Sequence, residues 1–168
     1  VGGTRDCDWW FTDSAVLIDT AGRFTTQDSD RENDKSTWGS FLALLKKSRP
    51  RQPLNGVLVT VSAPDMLLKS PADKLRHAQA VRTRVQELHE QLGIRLPIYL
   101  LVTKCDLIAG FTDSFSSLDK AQRAMPWGFT FGLGASAFQK ELQTEFDALL
   151  ARLNAGLVDG LQGEADPP

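Results

Sequence analysis

The longest apolar runs in the chain have the length of buried β-strands. They are residues 15–20 (AVLIDT), 54–62 (LNGVLVTVS) and 96–103 (LPIYLLVT). The runs are nearly continuous rather than alternating, which is typical of strands whose sheet is covered by helices on both faces. A shorter β-prone run at 6–11 (DCDWWF) precedes the first of them. Because only Thr12-Asp13-Ser14 separates these two runs, we expect an antiparallel hairpin.

Apolar residues at helical spacing predict three main helices. In the first, over residues 37–48, Trp38 and Leu42 mark a face that we expect to be core. The second occupies 71–92, since Ser70-Pro71-Ala72-Asp73 combines a hydroxyl cap, a proline at the first helical position and an early carboxylate. Gly93 is placed to close that helix. The third is an amphipathic helix over 136–157.

The segments between these elements are predicted from composition. Residues 25–36 are polar and without apolar periodicity, so we expect a loop that ends at Ser36 as helix cap. Short helical pieces are expected around 112–125, and WGFTFGL at 127–133 is interpreted as a further strand. The alternation of strands and helices predicts an α/β fold with a mostly parallel sheet.

Composition narrows the class of protein. A chain of 168 residues with 42% hydrophobic content is long enough for one domain with a sizeable core, and its net charge of -2 gives no reason to expect nucleic acid as a partner. A basic cluster at residues 46–51 is interpreted as solvated surface. Two cysteines without CxxC spacing and two histidines twelve residues apart indicate neither a disulfide framework nor a metal site. The apolar runs are too short to span a membrane.

Two of the predicted strands end on an aspartate. Asp19 begins a D-x-x-G tetrapeptide that ends at Gly22, and Thr103-Lys104-Cys105-Asp106 follows the strand at 96–103. Asp19 is either an acidic end to a strand or a ligand-binding residue at the carboxyl edge of a parallel sheet. In a nucleotide hydrolase, the first carboxylate holds Mg²⁺ through a water and the glycine N–H meets the γ-phosphate. The Asp106 carboxylate is suited to accept two hydrogen bonds from a guanine, with the Lys104 stem along the base.

The residues around these motifs resemble a known family. The stretches GGTRDCDWWFTDSAVLIDTAGR, TTQDSD, RPRQPLNGVLVTVS and LVTKCDL are similar to the IcmF/TssM family of the bacterial type VI secretion system. The resemblance implies a Ras-like P-loop nucleotide-binding domain over residues 1–157, followed by a flexible tail at 158–168. It also implies a place at the cytoplasmic face of the inner membrane, in contact with other membrane-complex and baseplate subunits.

The resemblance assigns roles to single residues. Thr4 corresponds to a switch threonine that binds Mg²⁺ together with Asp19, and Gly22 completes the D-x-x-G motif. Thr103, Lys104 and Asp106 match the base-recognition motif. A further residue, Arg23, stands where rapid GTPases carry glutamine, which implies slow hydrolysis. Thr103 in place of asparagine leaves GTP and ATP both open.

The phosphate-binding loop of such a domain is not in the sequence. No G-x-x-x-x-G-K-[ST] occurs in the 168 residues. The resemblance implies that this loop and the first strand lie upstream of Val1, and that the strand belongs between 15–20 and 54–62. We therefore expect two open strand edges, and a fragment that is inactive by itself.

Three functions remain open at this point. The first is a slowly hydrolysing nucleotide-binding switch, and the second is a scaffold module in which nucleotide chemistry is dispensable. The third is a generic α/β domain without a ligand. The architecture we expect has the strands at 15–20, 54–62 and 96–103 parallel in one sheet, with Asp19 and Asp106 at the same edge.

Overall fold

The computed structural model describes residues 7–24, 31–131 and 138–165, with the backbone alone at 23, 31–34, 138 and 157–165. The chain divides into two compact units, Val1–Cys105 and Asp106–Pro168. The predicted single domain over 1–157 stays a prediction.

The first unit begins with the predicted hairpin. Strand β1 (Asp8–Phe11) pairs antiparallel with β2 (Val16–Asp19). The hydroxyl of Thr12 donates to the carbonyl oxygen of Ala15 at 3.0 Å and accepts the Ala15 N–H at 3.0 Å, so one side chain holds the turn from both sides. The hairpin prediction is confirmed.

The first unit also contains a parallel strand pair. Strand β3 (Val57–Ser62) pairs in parallel with β4 (Ile98–Thr103), in a register that sets Ser62 beside Thr103. The connection between them carries α2 (Ala63–Leu68) and α3 (Pro71–Leu92). Helix α2 was not predicted, since six residues are too few to show a helical period.

The single sheet expected from the sequence stays a prediction. Among the described residues, β2 pairs with β1, β3 pairs with β4, and β2 and β3 do not pair with each other. Because strands join into one sheet only by direct backbone pairing, a single sheet needs the further strand that the resemblance places between 15–20 and 54–62.

Helix α1 (Arg31–Ser48) starts earlier than predicted. The expected loop over 25–36 is wrong from residue 31 onward, and residues 25–30 lie outside the described residues. Ser36 is accordingly inside the helix and is not its cap. The first turns of α1 carry good helix formers such as Lys35 but no apolar residue. The sequence therefore shows no hydrophobic periodicity there that could indicate a helix.

The ends of α3 match the sequence prediction. The Asp73 backbone N–H donates to Ser70 Oγ at 3.2 Å, with Pro71 at the first helical position. At the other end, Gly93 has a φ of 70° and donates its N–H to His89 O at 3.0 Å. This left-handed conformation suits glycine because it has no Cβ. Lys46 Nζ from α1 donates to Gln91 O at 2.8 Å, so one residue of the basic cluster binds the end of α3.

The core of the first unit lies where α1, α3 and the turn after β2 meet. The Trp38 ring packs between Phe24, at 5.4 Å between centroids, and Phe41, at 5.7 Å. The buried cluster consists of Ala21, Phe24, Trp38, Leu42, Leu45, Leu88 and Leu92. The predicted core face of the first helix is confirmed, because burying these apolar side chains is what fixes α1 against α3.

The second unit is mainly helical where it is described. It contains α4 (Phe111–Ser114), α5 (Lys120–Arg123) and α6 (Phe138–Ala165). The C-terminal helix thus runs eight residues past Leu157, where the apolar pattern ends. In the described ranges, none of the helices is long and apolar enough to cross a bilayer.

The strand predicted over 127–133 is wrong for residues 127–131, which form no regular element. Residues 132 and 133 lie outside the described residues. Phe129 and Phe131 pack edge to face with centroids 5.5 Å apart, and Trp127 contacts Phe115 in a similar geometry at 6.4 Å. Aromatic residues fit strands only when a neighbouring strand offers a paired surface, and these aromatics pack on one another instead.

Candidate functional site

A cavity of about 590 Å³ lies between the two strand pairs of the first unit. One wall is formed by β2 and the turn that follows it, and the opposite wall by β3 and one face of α3. The apolar lining residues include Leu17, Ile18, Val57, Leu58, Val59, Val81, Val85 and Leu88. Among the residues that the structure describes, three ionisable side chains also line the cavity: Asp19, His77 and Arg84.

The D-x-x-G segment borders this cavity. Asp19 is the last residue of β2, and Thr20, Ala21 and Gly22 follow it along the wall. The chain then closes a 3-10 turn, in which the Phe24 N–H donates to Ala21 O at 3.0 Å. Asp19 is exposed, whereas Ala21 and Phe24 are buried, so the turn is anchored beside an accessible carboxylate.

Neither packing nor conformation requires a glycine at position 22. A Cβ built on Gly22 meets no atom within 4 Å in the described structure, and its φ is not in the left-handed range. Glycine therefore has no steric role there, and a role for its backbone N–H is compatible with the geometry. Arg23 lies in the same 3-10 turn, and its backbone alone is described.

Thr103 and Lys104 lie at the carboxyl end of β4. The Thr103 hydroxyl donates to Val61 O on the neighbouring strand at 3.4 Å, which ties it to the sheet. Lys104 has a φ of 58°, a left-handed conformation that costs a residue with a Cβ roughly 1 kcal/mol or more. Lys104 stands between the end of β4 and a 3-10 turn at Cys105–Leu107.

A carboxylate of α2 lies near this strand end. The Lys69 side chain donates to Asp65 at 2.7 Å, and this hydrogen bond, helped by the positive charges of Lys69, Lys104 and His77, holds the pKa of Asp65 below its usual value. The Lys104 ammonium, at the end of β4, therefore helps to lower the pKa of Asp65 in the helix that follows β3. The carboxyl ends of β3 and β4 share one edge, as their parallel register requires.

Of the predicted site residues, Asp19 and Gly22 line the cavity, whereas Thr103 and Lys104 are not among its described lining residues. Asp106 is exposed in the 3-10 turn and is the first residue of the second unit. Thr4 lies outside the described residues. The expectation that Asp19 and Asp106 share one sheet edge stays a prediction.

Sequence reasoning missed two residues of the cavity wall. His77, expected at the surface, is half-buried and lines the cavity, as does Arg84. Arg84 donates from Nε to Phe24 O at 2.6 Å and from Nη1 to Glu87 Oε2 at 2.8 Å. Its sequence signal is the spacing: residues 81, 84, 85 and 88 form one face of α3, and the arginine interrupts valines and a leucine.

The donor set of the cavity fits a hydrated divalent cation better than a metal held by protein alone. The described residues contain no group of three or more His, Cys, Asp or Glu side chains arranged to hold a metal. Mg²⁺ in nucleotide sites needs only one or two protein ligands, because phosphates and waters complete its octahedron. The Asp19 carboxylate meets this smaller requirement.

The family is decided by a match over most of the chain. The sequence profile described as the IcmF-related N-terminal domain matches residues 31–168. This chain belongs to the IcmF-related family. The resemblance drawn from the residues around Asp19 and Thr103 is thereby confirmed at the level of the family.

A curated relative agrees with the IcmF-related assignment. The type VI secretion system component TssM1 of Pseudomonas aeruginosa is 52% identical over 171 residues. That alignment covers 99% of this chain but only 16% of TssM1. No solved structure matches the IcmF-related chain.

Proposed function

We propose that this chain is the larger part of a Ras-like nucleotide-binding domain, and that this domain is a slowly hydrolysing switch in a type VI secretion membrane complex. The similarity to a protein named as a type VI secretion system component supports the second half of the proposal. With it come the proposed place at the cytoplasmic face of the inner membrane, and partners among the other membrane-complex and baseplate subunits.

The observation that carries the nucleotide part is the cavity between β2 and β3. Each of these strands has an unpaired edge among the described residues, and apolar side chains of both line the same space. Unpaired strand edges beside an apolar space favour occupation by another strand. We propose that a strand leading into a phosphate-binding loop, from sequence outside these 168 residues, joins the two pairs into one α/β sheet with helices on both faces.

The residues to which the resemblance assigns roles have the chemistry that the proposal needs. Asp19 would hold Mg²⁺ through a water, with Thr4 as a further ligand, and the Gly22 N–H would donate to the γ-phosphate. Arg23 would steady phosphate charge, but it positions a water poorly, which accords with slow turnover. The bound Mg²⁺ would supply charge neutralisation on the phosphates of GTP or ATP.

The end of β4 supports a base-binding role for the second motif. A lysine in a left-handed conformation is costly, and such strain is concentrated at functional positions. In the proposal the Lys104 stem packs along the base, the Asp106 carboxylate accepts its hydrogen bonds, and Thr103 fixes the strand end. Thr103 Oγ1 is engaged with Val61 O, so it contributes to the sheet more than to base selection.

Titration of the full-length protein with fluorescent GTP and ATP tests the proposal. Asp19→Asn removes the charge beside the cavity, while Asp13→Asn makes the same change in the exposed hairpin turn. We expect Asp19→Asn to lower the Mg²⁺-dependent affinity at least about tenfold, as loss of a charged metal contact should. Asp13→Asn should bind like the wild type. Equal affinities of the folded Asp19→Asn protein and the wild type contradict the assignment.

A scaffold module is the second candidate, and exposed apolar side chains favour it. Leu68 at the end of α2 is 85% exposed and Leu100 in β4 is 65% exposed. Apolar surface of this kind marks interaction sites. One test distinguishes the two functions. If the domain is only a scaffold, a full-length protein that can no longer bind nucleotide should still assemble and support secretion.

A further inference from the structure

Arg84 joins three elements of the first unit through one guanidinium group. It projects from the middle of α3, and its Nε–H donates to Phe24 O across 60 residues of sequence. The guanidinium carbon lies 5.8 Å from the centre of the Trp38 ring on α1. The Arg84 and Glu87 side chains are each 20% exposed, and their ion pair of 2.8 Å fixes the guanidinium from the other side.

The contact with Phe24 links Arg84 to the turn that follows Asp19. Phe24 closes that turn through its own N–H to Ala21 O, and its carbonyl is the group that Arg84 binds. The planar fork of arginine makes such a contact directional, and a charged donor strengthens it. Only four residues lie between Asp19 and Phe24, so the position of the Asp19 carboxylate depends closely on the position of Phe24.

We propose that Arg84 is a positioning residue for the candidate nucleotide site: it holds the turn at Gly22–Phe24 and thereby sets where Asp19 and the Gly22 N–H stand. This inference rests on the proposed function. Arg84 touches neither metal nor phosphate in this role; it acts through the backbone of Phe24. Glu87 and Trp38 keep the guanidinium in the orientation that this requires.

The matched variants for a test lie on one helix. Arg84→Gln removes the charge and the fork, Arg84→Lys restores the charge alone, and Arg82→Gln makes the same charge change at an exposed position. Hydrogen exchange of the full-length protein without nucleotide is the first measurement. We expect the amides of residues 20–24 to exchange about tenfold faster in Arg84→Gln, because a charge-assisted hydrogen bond is lost. Arg82→Gln should match the wild type, and Arg84→Lys should lie between.

The second measurement is nucleotide affinity with and without Mg²⁺. A displaced Asp19 weakens the metal-dependent part of binding, so the gain in affinity from Mg²⁺ should fall in Arg84→Gln and recover partly in Arg84→Lys. General loosening of the fold would instead lower both affinities equally and would speed exchange in β4 as well. That result, or an unchanged gain from Mg²⁺, overturns the positioning role.

The two proposals fail in different ways. Unchanged exchange of residues 20–24 in Arg84→Gln overturns the role of Arg84, whether or not the protein binds nucleotide. A wild-type protein that binds neither GTP nor ATP contradicts the proposed function, and with it any role of Arg84 at that site. Faster exchange confined to the turn, together with a smaller gain from Mg²⁺, supports both.

Discussion

Asp8 and Asp19 lie directly opposite each other on β1 and β2. Side chains at directly opposite positions share one face of an antiparallel pair, with Cβ atoms roughly 5 Å apart, and like charges there oppose pairing. The hairpin therefore ends on two carboxylates at its open end.

Removing one of the two charges should stabilise the hairpin. We expect Asp8→Asn to raise the free energy of unfolding by up to about 1 kcal/mol at low salt, and by less at high salt because screening already weakens the repulsion. Urea unfolding with and without 0.5 M added salt, roughly where the Debye length has fallen to a few ångströms, measures both effects. Asp13→Asn in the hairpin turn is the control, and a gain no larger than that of Asp13→Asn contradicts the repulsion.

Ser70 caps a helix in the structure, whereas Ser36 was expected from the sequence to cap one and does not. Ser70 accepts the Asp73 N–H at the start of α3, whereas Ser36 lies exposed inside α1. Ser70→Ala should cost about 1 kcal/mol of stability because an N-terminal N–H loses its partner. Ser36→Ala should be neutral or stabilise by a few tenths of a kcal/mol, since alanine is the better helix former. Thermal unfolding of both variants decides the matter, and equal losses would return Ser36 to the status of a cap.

The same contrast shows what sequence can predict about this fold. The start of α3 was predictable because its signal is local: a hydroxyl, a proline and a carboxylate within four residues. The start of α1 was not, because its first turns carry no apolar residue. The aromatic run after Pro126 led to a wrong strand prediction for the opposite reason. Its residues suit a strand, but in the structure they contact one another within a few residues of sequence.

The motifs of the candidate site could be predicted from the sequence, but the residue that contacts the turn behind them could not. Asp19 and Gly22 could be read from the end of an apolar run, because ligands gather at strand ends. Arg84 belongs to the same cavity through contacts that span 60 residues. No local pattern encodes such a contact. Its only trace is a charged residue within the apolar face of α3.

The start of α3 should also respond to acid. The hydrogen bond from Ser70 and the nearby Arg76 guanidinium hold the pKa of Asp73 below its ordinary value near 3.8. A lowered pKa in the folded state means that the Asp73 carboxylate stabilises the fold above that ordinary value, and that this contribution is lost as the pH falls through the lowered pKa. The Tm of Asp73→Asn should thus lie below that of the wild type at pH 7, and the difference should shrink as the pH falls through the lowered pKa. A Tm difference independent of pH would contradict the linkage.

Gly22 and Gly93 should respond differently to alanine. Gly93→Ala places a Cβ on a residue with a φ of 70°, so we expect a loss of about 1 kcal/mol. Among the described residues, the Cβ of Gly22→Ala meets no atom within 4 Å, so this change should leave the free energy of unfolding unchanged within about 0.5 kcal/mol. In the full-length protein, the same Gly22→Ala change should weaken Mg²⁺-dependent nucleotide binding, because a Cβ crowds the path of a phosphate to the backbone N–H. Normal binding by Gly22→Ala would remove that N–H from the proposed site.

The isolated 168-residue chain should bind nucleotide poorly even if the proposed function is right. The backbone N–H groups and the lysine of a G-x-x-x-x-G-K-[ST] loop supply most of the charge complementarity to the β- and γ-phosphates, and the sequence contains no such loop. Base contacts from Lys104 and Asp106 do not replace them. We expect a Kd for Mg²⁺-GTP or Mg²⁺-ATP no tighter than about 1 mM, or about -4 kcal/mol. Isothermal titration calorimetry measures this directly, with the full-length protein as the comparison. Micromolar binding by the 168 residues alone would show that they contain a complete phosphate site, and would refute the proposal that the phosphate loop lies elsewhere in the protein.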